Sequence, residues 1–100
     1  MSKESLEKVI GDVLDERFRQ DRKWGMPQPA MKTPGRALAV LGEEFGEACK
    51  AAVEMDAAET PDGALVWRDS LRTELVQVAA VAVSIIEHLD TDEIDCTPRQ

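Results

Sequence analysis

Histidine, cysteine and aromatic residues are scarce in this 100-residue sequence: one histidine, two cysteines, two tryptophans, two phenylalanines and no tyrosine. Cys49 falls inside a helical pattern and Cys96 in a polar end segment, so neither a disulfide framework nor zinc-ligand spacing exists. No apolar run is long enough to span a bilayer, and the opening MSKESLEK holds no apolar signal region. A membrane is therefore not an expected partner, and a reducing, cytoplasmic compartment is the expectation. Positive charge is also in short supply, with 12 basic against 20 acidic residues and a net charge of -8. Such a surface repels a nucleic-acid backbone, which argues against a nucleic-acid polymer as partner. It suits a protein that collects divalent cations, and equally one that uses charge to stay soluble.

What is present is helical periodicity. Leu6, Val9, Ile10, Val13, Leu14 and Phe18 recur at helical spacing with charges between them, predicting a first helix from Ser5 to Lys23. The segment 24–35 holds three prolines and two glycines and cannot continue it. Thr33-Pro34 reads as an N-cap and first helical residue, opening a second helix to Ala58 with a stripe of Leu38, Leu41, Phe45, Ala48, Ala52 and Met55. Thr60-Pro61-Asp62-Gly63 reads as a turn, followed by a short helical turn over Ala64–Trp67. A third helix is predicted from Asp69 to Leu89. It is apolar almost all round, and a strand is disfavoured by its length. Two helices of the same chain would struggle to cover it. The expectation is a single all-α domain over 1–100, a bundle of three to four helices whose core is completed by homo-oligomerisation. Residues 91–100 read as a frayed tail.

The chemistry-bearing pattern is acidic. On the second helix, at about 100° per residue, Glu43 and Glu47 lie within roughly 40° of each other and Glu44 and Glu47 within roughly 60°. Glu74 and Gln77 share a face of the third. An exposed cluster of this kind is cheap, at about 0.2–0.5 kcal/mol per like-charged pair. If the sector faces another helix, carboxylates about 4 Å apart repel by about 4 kcal/mol at an effective dielectric of 20 and need cations or protons between them. Glu74 stands among aliphatic residues, where a lone buried glutamate is costly. Meeting Glu43, Glu44 and Glu47 around a hard cation such as magnesium would account for it.

Glu43-Glu44-x-x-Glu47, a spacer, and then Glu74-x-x resembles the EExxE…ExxD signature of all-helical nucleotide pyrophosphohydrolases, the MazG-like branch above all. Residues 16–25, ERFRQDRKWG, resemble the opening helix of that branch, and residues 71–82, LRTELVQVAAVA, its last core helix. The resemblance spans Asp15 to Asp90. It implies a helical bundle built from two or more chains, a homodimer or homotetramer. It also implies hydrolysis of a (deoxy)nucleoside triphosphate to monophosphate and pyrophosphate, dependent on magnesium, with manganese as a substitute. By matching position Glu43, Glu44, Glu47 and Glu74 would be catalytic metal ligands. The fourth acidic position is Gln77 here, a neutral group that can still ligate weakly. A protein that binds nucleotide without turnover, or a purely structural helical dimer, is therefore the alternative.

Other residues carry two readings. Trp24 stacks on a base or packs the exit of the first helix. Gln20 and Lys23 contact substrate or are solvated. Arg17, Arg19 and Arg22, alternating with Asp15, Glu16 and Asp21, read as a solvated face with local ion pairs. Arg68 and Arg72 are possible phosphate contacts. His88 binds substrate or is a satisfied helix-end histidine.

Overall fold

The computed structural model describes residues 1–98. Among them are three helices and no strand: α1 (Lys3–Trp24), α2 (Pro34–Asp56) and α3 (Pro61–Asp90), with a single 3-10 turn over Pro29–Met31. The protein is all-α, as the periodicity predicts.

Each helix begins on a side-chain cap. Ser2 and Ser5 cap one another's backbone amides and start α1 two residues ahead of the predicted Ser5. Thr33 Oγ1 accepts from Arg36 N at 3.3 Å to open α2. Thr60 Oγ1 accepts from Gly63 N at 3.1 Å to open α3. Thr60-Pro61 is thus not a turn ahead of a short helix. It is the same cap-plus-proline device as Thr33-Pro34, with Pro61 filling a first-turn position whose N–H has no helical partner. α3 consequently runs unbroken through the segment 64–67. After α1, Gly25 takes a φ of 88° and donates its N–H to Asp21 O, turning the chain into the proline segment.

α2 and α3 form an antiparallel hairpin, and between them lies a small core of Met31, Ala37, Val81, Ile85 and Ile94, with Val40 and Leu41 packed against it. Buried Ala48, Ala51 and Ala80 let the two backbones approach closely. Ile94 corrects the expectation of a frayed tail for the described part of 91–100. Asp92 adopts a positive φ, Glu93 N donates to His88 O and Asp95 N donates to Lys32 O at 2.7 Å, seating Ile94 in the core. Burying an isoleucine is worth about 1.5–3 kcal/mol, and the backbone hydrogen bonds of Glu93 and Asp95 add to it. Residues 99 and 100 of the predicted tail lie outside the described residues.

α1 packs differently from its predicted stripe. Leu6, Val9, Ile10, Leu14 and Phe18 are all exposed, and the buried residues of α1 are Arg17 and Gln20. Arg17 Nη1 donates to Asp21 Oδ1 at 2.5 Å and its Nε to Glu87 Oε1 on α3 at 2.9 Å. The predicted solvated basic face is therefore, at Arg17, a buried ion-pair link between helices. On α3 only Ala80, Val81, Ser84, Ile85 and His88 are buried, and Leu75, Ile86 and Leu89 remain exposed alongside Leu38, Phe45 and Val53 of α2. No helix among the described residues is long and apolar enough to cross a membrane.

Candidate metal centre

The i, i+3 spacing of Glu44 and Glu47 sends both carboxylates from α2 toward α3, where Glu74 meets them. One oxygen from each lies within 4.8 Å of the others. Two of the three feel this crowding and their burial. Burial, then the carboxylates of Glu47 and Glu16, push the Glu44 carboxyl above its usual range. Burial, then a hydrogen bond to Glu47 and the charges of Glu47 and Glu44, do the same to Glu74. Oε2 of Glu44 and Oε2 of Glu74 are both buried without a hydrogen-bond partner. A buried acceptor left unpaired is costly, about 1–3 kcal/mol. Converging hard oxygens with unfilled acceptor capacity are what an oxygen-seeking divalent cation takes, so the donor set fits magnesium or manganese.

Glu43 does not join this group. It lines, with Glu44, Lys23, Trp24, Gln28 and Val40, a cleft of about 500 Å³ beside the centre. Glu47 lies between the two on the helix, about 40° from Glu43 and about 60° from Glu44, and Glu74 meets the side that carries Glu44. Two of the predicted substrate residues, Lys23 and Trp24, thus share a cleft with two of the predicted glutamates. The Lys23 Nζ stands 4.9 Å from the Trp24 ring centroid. Gln20 is not on the cleft wall but buried at 2% exposure, donating from Nε2 to Glu16 Oε2 at 3.1 Å and to the Gln77 main-chain oxygen at 3.5 Å. Gln77 is seen here through that carbonyl.

Glu16, which the sequence reads as part of a solvated face, is instead largely buried. Its side chain is only 12% exposed, bridged by Arg19 through Nε at 2.6 Å and Nη2 at 2.7 Å. The Arg19 guanidinium, followed by Gln20, outweighs burial and holds the Glu16 carboxyl below the usual range. The signal was faint: Gln20 lies four residues on and Arg19 three, so both can reach Glu16 along one helix. Arg72, a possible phosphate contact, instead donates to Asp12 Oδ2 at 2.7 Å. His88 is fully buried and satisfied. Its Nδ1 lies 2.6 Å from Ser84 O and its Nε2 accepts from Gln28 N at 3.0 Å, which assigns the ring proton to Nδ1 and a neutral ring.

Fold and site together define a class: a three-helix protein in which carboxylates from two helices converge beside an aromatic-walled cleft. Comparison with protein-family models, with curated proteins and with solved structures gives no match to this chain.

Proposed function

We propose that this protein is a MazG-like hydrolase that converts a (deoxy)nucleoside triphosphate to the monophosphate and pyrophosphate with magnesium at Glu44, Glu47 and Glu74. The observation that carries this reading is the convergence of those three carboxylates, two of them with a buried unpartnered oxygen, next to a cleft walled by Trp24 and Lys23. A bound magnesium ion would supply positive charge for phosphate oxygens and make water more acidic. The chain's own residues would do the rest. Trp24 offers a ring face to a base and Lys23 a charge to phosphate, fixing the α-phosphorus over the carboxylates. Water attacks that phosphorus, a carboxylate of the group takes its proton, the α–β anhydride bond breaks and pyrophosphate leaves. Glu43, at the cleft wall, acts on the orientation of the substrate.

Two further proposals accompany this one. The exposed apolar residues of α2 and α3, Phe45, Val53, Leu75 and Ile86 among them, support a homodimer or homotetramer that covers them. A nucleoside triphosphate substrate would make the cytoplasm the working compartment. Gln77, neutral where the resembled pattern is acidic, favours one competing account, a nucleotide-binding protein without turnover.

The test is a pyrophosphate-release assay over the ribo- and deoxynucleoside triphosphates with magnesium, manganese or chelator. Metal-dependent release that Glu47→Gln abolishes is the expected result. Binding of nucleotide by calorimetry with no product from any of them would replace the hydrolase by the binding protein.

A further inference from the structure

Gln20 is a buried amide with an unsatisfied half. Its Nε2 is spent on Glu16 and on the Gln77 carbonyl, one turn beyond Glu74 on α3, while its Oε1 is buried with no partner. Three oxygens are left in this condition among the described residues: Gln20 Oε1 from α1, Glu44 Oε2 from α2 and Glu74 Oε2 from α3. An amide oxygen only accepts, so what Gln20 lacks is a donor. Glu16 is fixed between the Arg19 fork and the Gln20 amide, and the same amide reaches the Gln77 carbonyl at 3.5 Å, which ties Glu16 to the stretch of α3 that carries Glu74. Glu16 is not within the 4.8 Å group formed by Glu44, Glu47 and Glu74. It is joined to the neighbourhood of Glu74 through Gln20, and magnesium keeps several waters through which groups outside its direct ligands are reached.

We propose that Glu16 is the fourth acidic arm of the centre, contributed by α1, and that with the Gln20 carbonyl it receives the water shell of a cation held by Glu44, Glu47 and Glu74. The inference rests on the metal reading above. It also answers the neutral Gln77, because the missing negative charge returns from a different helix. Arg19 then has a defined part: it keeps Glu16 ionised and aimed until a cation arrives. Glu16 and Gln20 are positioning residues, acting through water.

The experiment is a manganese titration of the whole chain, reading free Mn2+ by electron paramagnetic resonance, with melting temperature in chelator as the fold control. Glu16→Gln should weaken Mn2+ binding about ten- to a hundredfold, the size seen when groups that orient metal ligands are removed. Glu7→Gln, on the exposed part of α1, should bind as wild type. Glu16→Asp keeps the charge and draws the carboxylate back by one methylene. Weaker binding there supports the proposal even if Glu16→Gln folds poorly, and wild-type binding overturns it. Wild-type affinity in Glu16→Gln, with binding lost in Glu74→Gln, would leave the centre standing and reduce Glu16 to a plain ion pair with Arg19. Wild-type protein that binds no Mn2+ would overturn the metal reading and this inference together.

Discussion

Two polar clusters lie against α3, and they are finished to different degrees. The first joins Arg17, Asp21, Glu87, Gln28, Ser84 and His88. There Arg17 is spread over two carboxylates, His88 uses both ring nitrogens, and Gln28 is tied by its backbone to His88 and by its side chain to Asp21 at 3.4 Å. The second holds Glu44, Glu47 and Glu74, with Gln20 bonded to the Gln77 carbonyl one turn beyond Glu74. It leaves three buried oxygens unpartnered and two carboxyls pushed upward. Both clusters displace apolar packing, and only the first is repaid by complete hydrogen bonding. Buried polar groups in folded proteins are satisfied as a rule, so the open cluster is where a ligand is expected and the closed one is where structure is held.

The sharpest way to break this contrast is to damage the closed cluster. Arg17→Ala removes a buried side chain and two charge-assisted hydrogen bonds, leaving Asp21 and the exposed Glu87 to water. It should cost about 1.5–3 kcal/mol in urea or thermal unfolding. An effect within experimental error would mean the link is not structural. His88→Ala leaves the Gln28 N–H without an acceptor and should cost about 1–3 kcal/mol by the same measurement, with pyrophosphate release falling only as far as the unfolded fraction requires.

The open cluster should respond in the opposite direction. Glu74→Gln removes one of the mutually repelling carboxyls, so in chelator at neutral pH the variant should melt no lower than wild type. Its metal-dependent activity should fall more than about a hundredfold, since even the partners that orient metal ligands are worth about 10–100-fold. A variant that melts well below wild type in chelator would mean that Glu74 is structural.

The smallest effect is on pH. Glu44 and Glu74 have folded-state values above the ordinary 4.5, so the folded state binds these protons more tightly than the unfolded chain. In chelator their contribution should be complete below that ordinary value and should disappear as pH rises through the raised values. Asp12 and Glu16 are lowered, and their contribution is present above the ordinary carboxylate range and lost below it. Metal-free protein should therefore gain stability as pH is lowered through those raised values toward the ordinary carboxylate range, then lose it under further acidification. Glu74→Gln should flatten the first limb, and an unchanged profile in that variant would contradict the assignment.

Much of this architecture was legible because it is local. Helical spacing located three helices, Thr33-Pro34 marked the start of α2, and Glu44, Glu47 and Glu74 stood out by their spacing and apolar surroundings. The same local logic failed at Thr60-Pro61, where Gly63 two residues after the proline disguised a helix start as a turn. Other features depend on partners distant in sequence. Arg17 is buried because Glu87 comes to meet it, 70 residues on. Ile94 is held because Lys32 accepts from Asp95. Glu43 and Glu44 are adjacent in the chain, but only the packing of α2 on α3 decides which of them faces Glu74. Glu16 looked like one charge among many, since nothing near it in sequence reveals that Gln20 beside it reaches the Gln77 carbonyl on α3.

If the open cluster is open for a cation, a melting curve with and without metal must show it. A ligand that binds only the folded state must raise the melting temperature, by the equivalent of about 2.7 kcal/mol at a hundred times its Kd. Wild-type protein should melt higher in magnesium or manganese than in chelator, and Glu74→Gln should melt at the same temperature in both. Equal melting temperatures for the wild type with and without either metal would contradict the account.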